Sequence, residues 1–242
     1  MTQNIYDKPD FFAGYSQLQR SVQGLDGAPE WPAIRARIPD LTGMRVVDLG
    51  CGFGWFSRWA RKHGAACVLG LDISENMIAR AKADTNDVAI DYAIADIGKL
   101  DLSETSFDFA YSALAFHYVE DFDSLVKAVY RALAPGSHFV FTIEHPIYMA
   151  PTHPGWSMGP DGRKTWPVGQ YLVEGPRTTD WLAKGVIKQH RTIGTTLNAL
   201  INAGFAIRHV EEWKPTPEQI AANPALAEEL ERPMFLLVAA QR

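Results

Sequence analysis

The residues best placed to do chemistry are three glycines, Gly50, Gly52 and Gly54, and two carboxylates, Asp72 and Asp96. The glycines follow an apolar run, Val46-Val47-Asp48-Leu49, and precede an amphipathic one, Phe56-Ser57-Arg58-Trp59-Ala60-Arg61. Glycine lets a backbone turn sharply and admits a ligand where a Cβ would block it. Between a strand and a helix, such a turn floors a pocket at the carboxyl edge of a parallel sheet. The spacing is G-x-G-x-G. A dinucleotide fingerprint, G-x-G-x-x-G, needs glycine at 55, where this sequence has Trp55. Asp72 ends the next apolar run, a place where an acidic side chain accepts two hydrogen bonds from a ribose diol. Its other reading is a charge that complements the start of the following helix. Asp96 ends a third run. It suits an amino group such as adenine's, or it is a turn carboxylate.

These residues need a scaffold, and the periodicity supplies one. Strands are expected over 45–49, 67–71, 89–94, 107–112 and 138–143. Helices are expected over 55–63, 75–84 (with Ser74 as N-cap) and 125–133, the last stopped by Ala134-Pro135-Gly136. This βαβα rhythm implies an α/β fold, a mainly parallel sheet with helices on both faces. Residues 1–43 read as a helical lead-in or lid, with Phe11, Phe12, Tyr15, Leu18 and Val22 on one apolar face. The rhythm breaks over 144–192, an insert holding Tyr148, Trp156, Trp166, Tyr171 and Trp181. Segments 171–173 and 185–189 are expected to pair there as strands. A helix over 193–203 ended by Gly204, a strand over 205–213, a polar helix over 217–230 and a strand over 234–240 complete the same domain.

Bulk properties narrow the partners. The chain has 242 residues and a net charge of −5. It shows neither the basic excess nor the basic stripe of a nucleic-acid binder. No apolar run approaches a membrane span, and Met1-Thr2-Gln3-Asn4 lacks a charged-then-apolar signal. The two cysteines, Cys51 and Cys67, build no disulfide framework. No nucleic acid, no membrane and a cytoplasmic setting are therefore expected. The histidines lack the close paired spacing of zinc ligands, so no metal is expected.

Taken in order, Val46–Phe56, Gly70–Ala79, Ala93–Ile97, Phe107–Asp121 and Leu133–Thr142 resemble the successive motifs of class I S-adenosylmethionine-dependent methyltransferases, in particular the small-molecule "type 11" group. Leu133-Ala134-Pro135-Gly136-Ser137 matches that group's L-x-P-G-G turn except at Ser137. The similarity covers about residues 44–143, the cofactor-binding core. It implies a Rossmann-like seven-stranded sheet with an antiparallel last strand. It also implies S-adenosylmethionine as cofactor and a small-molecule acceptor methylated at O, N, S or C. By the resemblance, Gly50, Gly52 and Gly54 cradle the methionine part and Asp72 holds the ribose. Ile73 and Met77 flank the adenine, Asp96 and Ile97 contact it, and Ala113 touches the methionine end. Tyr15 and Arg20 on the lead-in complete the set, Arg20 as a partner for the cofactor carboxylate or as a solvated arginine. The motifs specify neither the acceptor nor the oligomeric state. Two other readings stand beside this one, a nicotinamide-dependent oxidoreductase and a non-catalytic cofactor-binding module.

An acceptor that must lose a proton needs a base. The candidates are His117, Glu144, His145 and, further along, His190. Glu144 and His145 follow the fifth strand, at the sheet edge where ligands of open α/β folds bind. The alternative for a histidine after a strand is simple capping of backbone groups, and for His117, by the resemblance, packing under the cofactor. The expectation for His145 is that alanine there lowers turnover more than cofactor affinity. The aromatic insert is expected to close over the acceptor, with at least one of its rings in contact, or else to pack only onto the sheet.

Overall fold

The computed structural model describes residues 3–242; Met1 and Thr2, the start of the expected lead-in, lie outside the described residues. Strands β1 (Arg45–Leu49), β2 (Cys67–Asp72), β3 (Ile90–Ile94), β4 (Phe107–Ala113), β5 (Leu133–Glu144), β6 (Ala206–Glu212) and β7 (Phe235–Gln241) form one sheet in the order β6-β7-β5-β4-β1-β2-β3. β1 to β5 pair in parallel. β7 runs antiparallel to β5, with Phe235 opposite Glu144, and β6 pairs antiparallel with β7. The fold is therefore the Rossmann-like α/β sheet with a reversed last strand.

Side chains alternate across each strand, so neighbours enter different cores. Val47, Phe139, Phe141, Leu236 and Val238 pack with the helices Phe122–Ala132 and Ile193–Ala203 on one face. Val46, Val140, Leu237 and Ala239 pack on the other, against Trp31, Phe56, Ala60 and Ile78. Strands covered on both faces read as unbroken apolar runs, which is why β1 and β7 stand out in the sequence. Ser74 caps the helix Glu75–Ala83 by accepting from the Met77 amide at 3.1 Å.

Three expectations need correction. The lead-in is not one helix: Trp31–Arg35 is a separate short helix, and Pro9–Ser16 and Gln19–Val22 before it are divided where Leu18 turns extended. Its apolar face stops there; Phe11 is buried but Val22 is 63% exposed. In the insert, Val186–His190 pairs with Gly175–Thr179 rather than with 171–173. Residues 170–173 form a turn, closed by the Val173 amide on the Gln170 carbonyl, and Leu172 is exposed. The polar helix breaks at Asn223 into Pro217–Ala222 and a 3-10 turn, Pro224–Leu230. Proline disfavours helical backbone in the residue before it.

The lead-in straps the top of the sheet. Asp7 accepts from Ser74 Oγ and from the Glu75 and Asn76 amides, at the start of the helix after β2. Gln3 grips the insert hairpin, donating to the Gly185 carbonyl and accepting from the Ile187 amide. Ile5, Phe11 and Val186 form a small core with Tyr6, Tyr15, Tyr118 and Trp181 around it.

Gly204 ends its helix with φ +106°, and a Cβ there would lie 2.9 Å from the Tyr130 ring. We expect Gly204→Ala to lower unfolding free energy by at least about 1 kcal/mol, the cost of left-handed backbone. Urea titration measures it.

Candidate active site

The carboxyl ends of β1 and β2 build the floor of the site together. The amides of Gly50 and Cys51 both donate to the Leu71 carbonyl, at 2.8 and 2.9 Å. The Gly52 amide donates to Asp72 Oδ2 and the Ser74 amide to Asp72 Oδ1, each at 2.9 Å. All three glycines have positive φ. Their roles differ. A Cβ on Gly50 would fall 2.4 Å from the Ala115 Cβ, and one on Gly54 2.2 Å from Tyr92 Oη. A Cβ on Gly52 would meet nothing within 4 Å.

Gly52 opens onto a cavity of about 490 Å³, well within the size of small-molecule sites. Gly50, Asp72, Ile73, Met77, Asp96, Ile97 and Ala113 line one part of it, with Tyr15 and Arg20 from the lead-in. Gly54 does not line it; this glycine serves the turn, where Tyr92 leaves no room for a side chain. Asp96 Oδ1 accepts from the Gly98 amide at 3.0 Å. Burial pushes the Asp72 carboxyl up to about 6. Asp48, beneath the turn, is pushed up to about 7 by burial and accepts from Ser57 Oγ at 2.6 Å. Arg20 is neither solvated nor alone. Its Nη2 donates to both carboxylate oxygens of buried Glu30, at 3.0 and 3.2 Å.

The far part of the cavity is lined by Tyr6, His117, Tyr118, Glu144, Tyr148 and Trp181. Glu144 Oε1 is paired with Lys188 Nζ, while its Oε2 is buried with no hydrogen-bond partner. His117 Nδ1 accepts from the Glu144 amide at 3.4 Å. Burial, with Lys188 and Arg191 nearby, holds this imidazole well below its ordinary pKa, so it is neutral. The tautomer that this bond requires carries its proton on Nε2.

His145 is a correction. It is fully buried and away from the cavity, and both ring nitrogens are engaged. Nδ1 accepts from the Ile147 amide at 3.0 Å, capping the short helix Pro146–Met149. Nε2 lies 2.9 Å from Glu212 Oε1. No lone pair is left for a substrate proton. His190 is likewise off the cavity, its Nε2 bonded to the Tyr171 carbonyl at 2.8 Å. Of the insert aromatics, only Tyr148 and Trp181 reach the cavity. Trp156 and Trp166 gather with Tyr148 around Arg232, and the Tyr171 hydroxyl accepts from the Ile193 amide.

Among the described residues there is no group of three or more His, Cys, Asp or Glu arranged to hold a metal ion. No helix among them is long and apolar enough to cross a membrane.

Comparison with known proteins decides what this geometry serves. Residues 47–141 match the family model described as a methyltransferase domain. The crystal structure of an S-adenosylmethionine-dependent methyltransferase from Mesorhizobium loti is 66% identical and superposes with a TM-score of 0.88, covering 90% of this chain and 100% of that one. This chain belongs to the S-adenosylmethionine-dependent methyltransferases. A Haemophilus influenzae protein is 32% identical over 217 residues, 86% of this chain and 85% of its own length. The malonyl-acyl carrier protein O-methyltransferase of Enterobacter lignolyticus is 37% identical over 110 residues, 46% of this chain and 43% of the relative. The match therefore spans under half of that relative's length. The nicotinamide reading falls away.

The residues of this methyltransferase fit its cofactor. The open face of Gly52 is a cradle that any side chain would fill. Beside it stand a carboxylate suited to a diol and apolar side chains suited to a flat base. Sequence reasoning missed Asp48, Glu30, Lys188 and the tyrosines 6 and 118. Asp48 carried a signal, a carboxylate within an otherwise apolar strand. The others carried none, because only tertiary pairing brings them here.

Gly52→Ala and Gly54→Ala separate cradle from fold. The first should cost only the about 1 kcal/mol of left-handed backbone yet weaken S-adenosylmethionine binding about tenfold or more, roughly 1.4 kcal/mol. The second should lower the melting temperature further, because its Cβ would also fall 2.2 Å from Tyr92 Oη. Calorimetric titration and thermal melting read both. A second test uses pH. Asp72 takes up a proton near pH 6, so cofactor affinity should fall as pH drops through that value, and Asp72→Asn should flatten the dependence.

Proposed function

We propose that this methyltransferase acts on a small molecule, held in the part of the cavity lined by Glu144, His117, Tyr148 and Trp181. The observation that carries this reading is the continuity of one cavity from the Gly52 cradle to Glu144, whose Oε2 has no hydrogen-bond partner. In this reading Gly50 and Gly52 cradle the methionine part and Ala113 lies at its end. Arg20, steadied by Glu30, meets the carboxylate beside Tyr15. Asp72 holds the ribose, and Ile73, Met77, Asp96 and Ile97 enclose the adenine. When bound, the cofactor supplies a methyl group already activated by positive sulfur.

The remaining work falls to the chain. Placing a nucleophile close to the methyl carbon and in line with its bond to sulfur supplies much of the rate. Tyr148 and Trp181 wall the acceptor, and Tyr6 and Tyr118 close it from above, their hydroxyls 3.4 Å apart. Glu144 Oε2 accepts a proton from the acceptor. His117 offers an N–H rather than a lone pair, so it orients the acceptor and is not its base. The net charge of −5 favours a metabolite over nucleic acid. Two free cysteines suit a reducing cytoplasm.

Formation of S-adenosylhomocysteine from a metabolite pool tests the reading and separates an enzyme from a non-catalytic binding module. Glu144→Gln should slow turnover at least about 100-fold, the scale of lost acid–base catalysis, with cofactor affinity unchanged. His145→Ala should cost stability while leaving turnover near wild type. The reverse pattern would return the base to His145.

A further inference from the structure

The acceptor end of the cavity contains an arrangement that discriminates by charge. Trp181 and Tyr148 line it, and each ring already carries a cation of the protein. Lys188 Nζ lies 4.9 Å from the Trp181 ring centre and Arg232 Cζ 4.6 Å from that of Tyr148. Aromatic faces attract cations, but these are served, and a cationic acceptor would face two like charges. An anionic acceptor meets the opposite problem in Glu144, whose Oε2 is buried and needs a donor, not another anion.

The Lys188–Glu144 pair is enclosed, with the two side chains 3% and 12% exposed. Lys188 is not itself on the cavity. It stands behind Glu144, engages Oε1 and leaves Oε2 as the acceptor atom. Beside them, His117 contributes one N–H donor. The walls are flat rings, Tyr118, Tyr148 and Trp181. A neutral ligand with one acidic hydroxyl on a flat ring satisfies all of this.

Building on the function proposed above, we infer that the acceptor is an uncharged phenol, methylated at oxygen, with Glu144 as the group that takes its proton and Lys188 as the positioning residue behind it. Phenol hydroxyls titrate near about 10, acidic enough to give up a proton as the new bond forms. The phenol oxygen bonds to the methyl carbon while the carbon–sulfur bond breaks. The electron pair of that bond stays on sulfur, and the phenolic proton passes to Glu144 Oε2. The charge lost at sulfur is matched by the charge lost at the carboxylate.

Phenol, benzylamine and benzoate share a ring and differ in charge at neutral pH. Each is titrated calorimetrically into the intact protein saturated with S-adenosylhomocysteine. Phenol should bind at least about tenfold more tightly than either other probe. Glu144→Gln should weaken phenol and strengthen benzoate. Tighter binding of benzylamine or benzoate, or no difference among the three, overturns the inference. Failure of S-adenosylhomocysteine itself to bind overturns instead the function it rests on.

Lys188 is tested by the split between kcat and KM in phenol methylation. The groups facing Glu144 are Lys188 from the hairpin, His117 and Tyr118 from the turn after β4, and Tyr148 from the short helix, with Arg191 and Arg232 behind them. Of these, Lys188 alone is bonded to the carboxylate side chain. Without that hold on Oε1 the carboxylate can turn Oε2 away from the acceptor. Lys188→Met should therefore lower kcat for phenol at least about tenfold while leaving the KM for S-adenosylmethionine unchanged, and Lys188→Arg should restore it. A kcat that stays in place in Lys188→Met, in protein that melts as wild type does, overturns the positioning role.

Discussion

One buried carboxylate sets the geometry of the site. Asp72 receives the Gly52 amide on one oxygen and the Ser74 amide on the other, so the glycine turn after β1 and the helix after β2 are fixed relative to each other. The carbonyl just before it, on Leu71, takes two more amides of the same turn. Buried amides must find acceptors, and here the end of β2 provides them. Gly50 and Gly52 are held by that demand, and Gly54 by its own amide on the Cys51 carbonyl at 2.9 Å. The cost is visible in Asp72 itself, a carboxyl whose burial opposes its charge. A ribose diol would return to it the donors that water supplies in the open.

The opposite end of the cavity is organised by an ion pair. β5 ends at Glu144, and its neighbour β7 runs antiparallel, with Phe235 across from it. Lys188 comes from the insert and closes on Glu144 from behind. The insert is therefore tied to the sheet by charge as well as by ring packing. Arg232 does similar work nearby, standing against Tyr148, Trp156 and Trp166 while bonded to Glu229. Breaking one side of a buried pair leaves an unmatched charge, which is far more costly than never having built it.

The two ends were not equally legible. The cofactor end is local in sequence: a turn at 50–54, an acid at 72 and another at 96 each follow a strand, and strands announce themselves by apolar runs. The acceptor end is not. Glu144 and Lys188 are neighbours only after the insert folds back. His145 was attractive for its position beside Glu144, and that adjacency is what excludes it. Successive side chains near a strand end point to opposite sides, so a cavity that receives Glu144 does not receive His145. The hairpin was misplaced for a related reason. Tyr171-Leu172-Val173 has the composition of a strand, whereas the actual strand, Gly175–Thr179, carries Arg177, whose burial depends on the carbonyls of Ala150, Gln170 and Val173. No periodicity encodes that arrangement. Arg20 was placed correctly on the lead-in, but its partner Glu30 lies beyond a helix break that the apolar spacing did not reveal.

The strap formed by residues 3–7 joins these ends mechanically. Asp7 accepts from the first amides of the helix beside Asp72, and Gln3 holds the hairpin that carries Trp181 and Lys188. A segment anchored at both sites cannot loosen over one without disturbing its hold on the other. The strap thus gives a change at the Asp72 end of the cavity a route to the Glu144 end that bypasses the sheet.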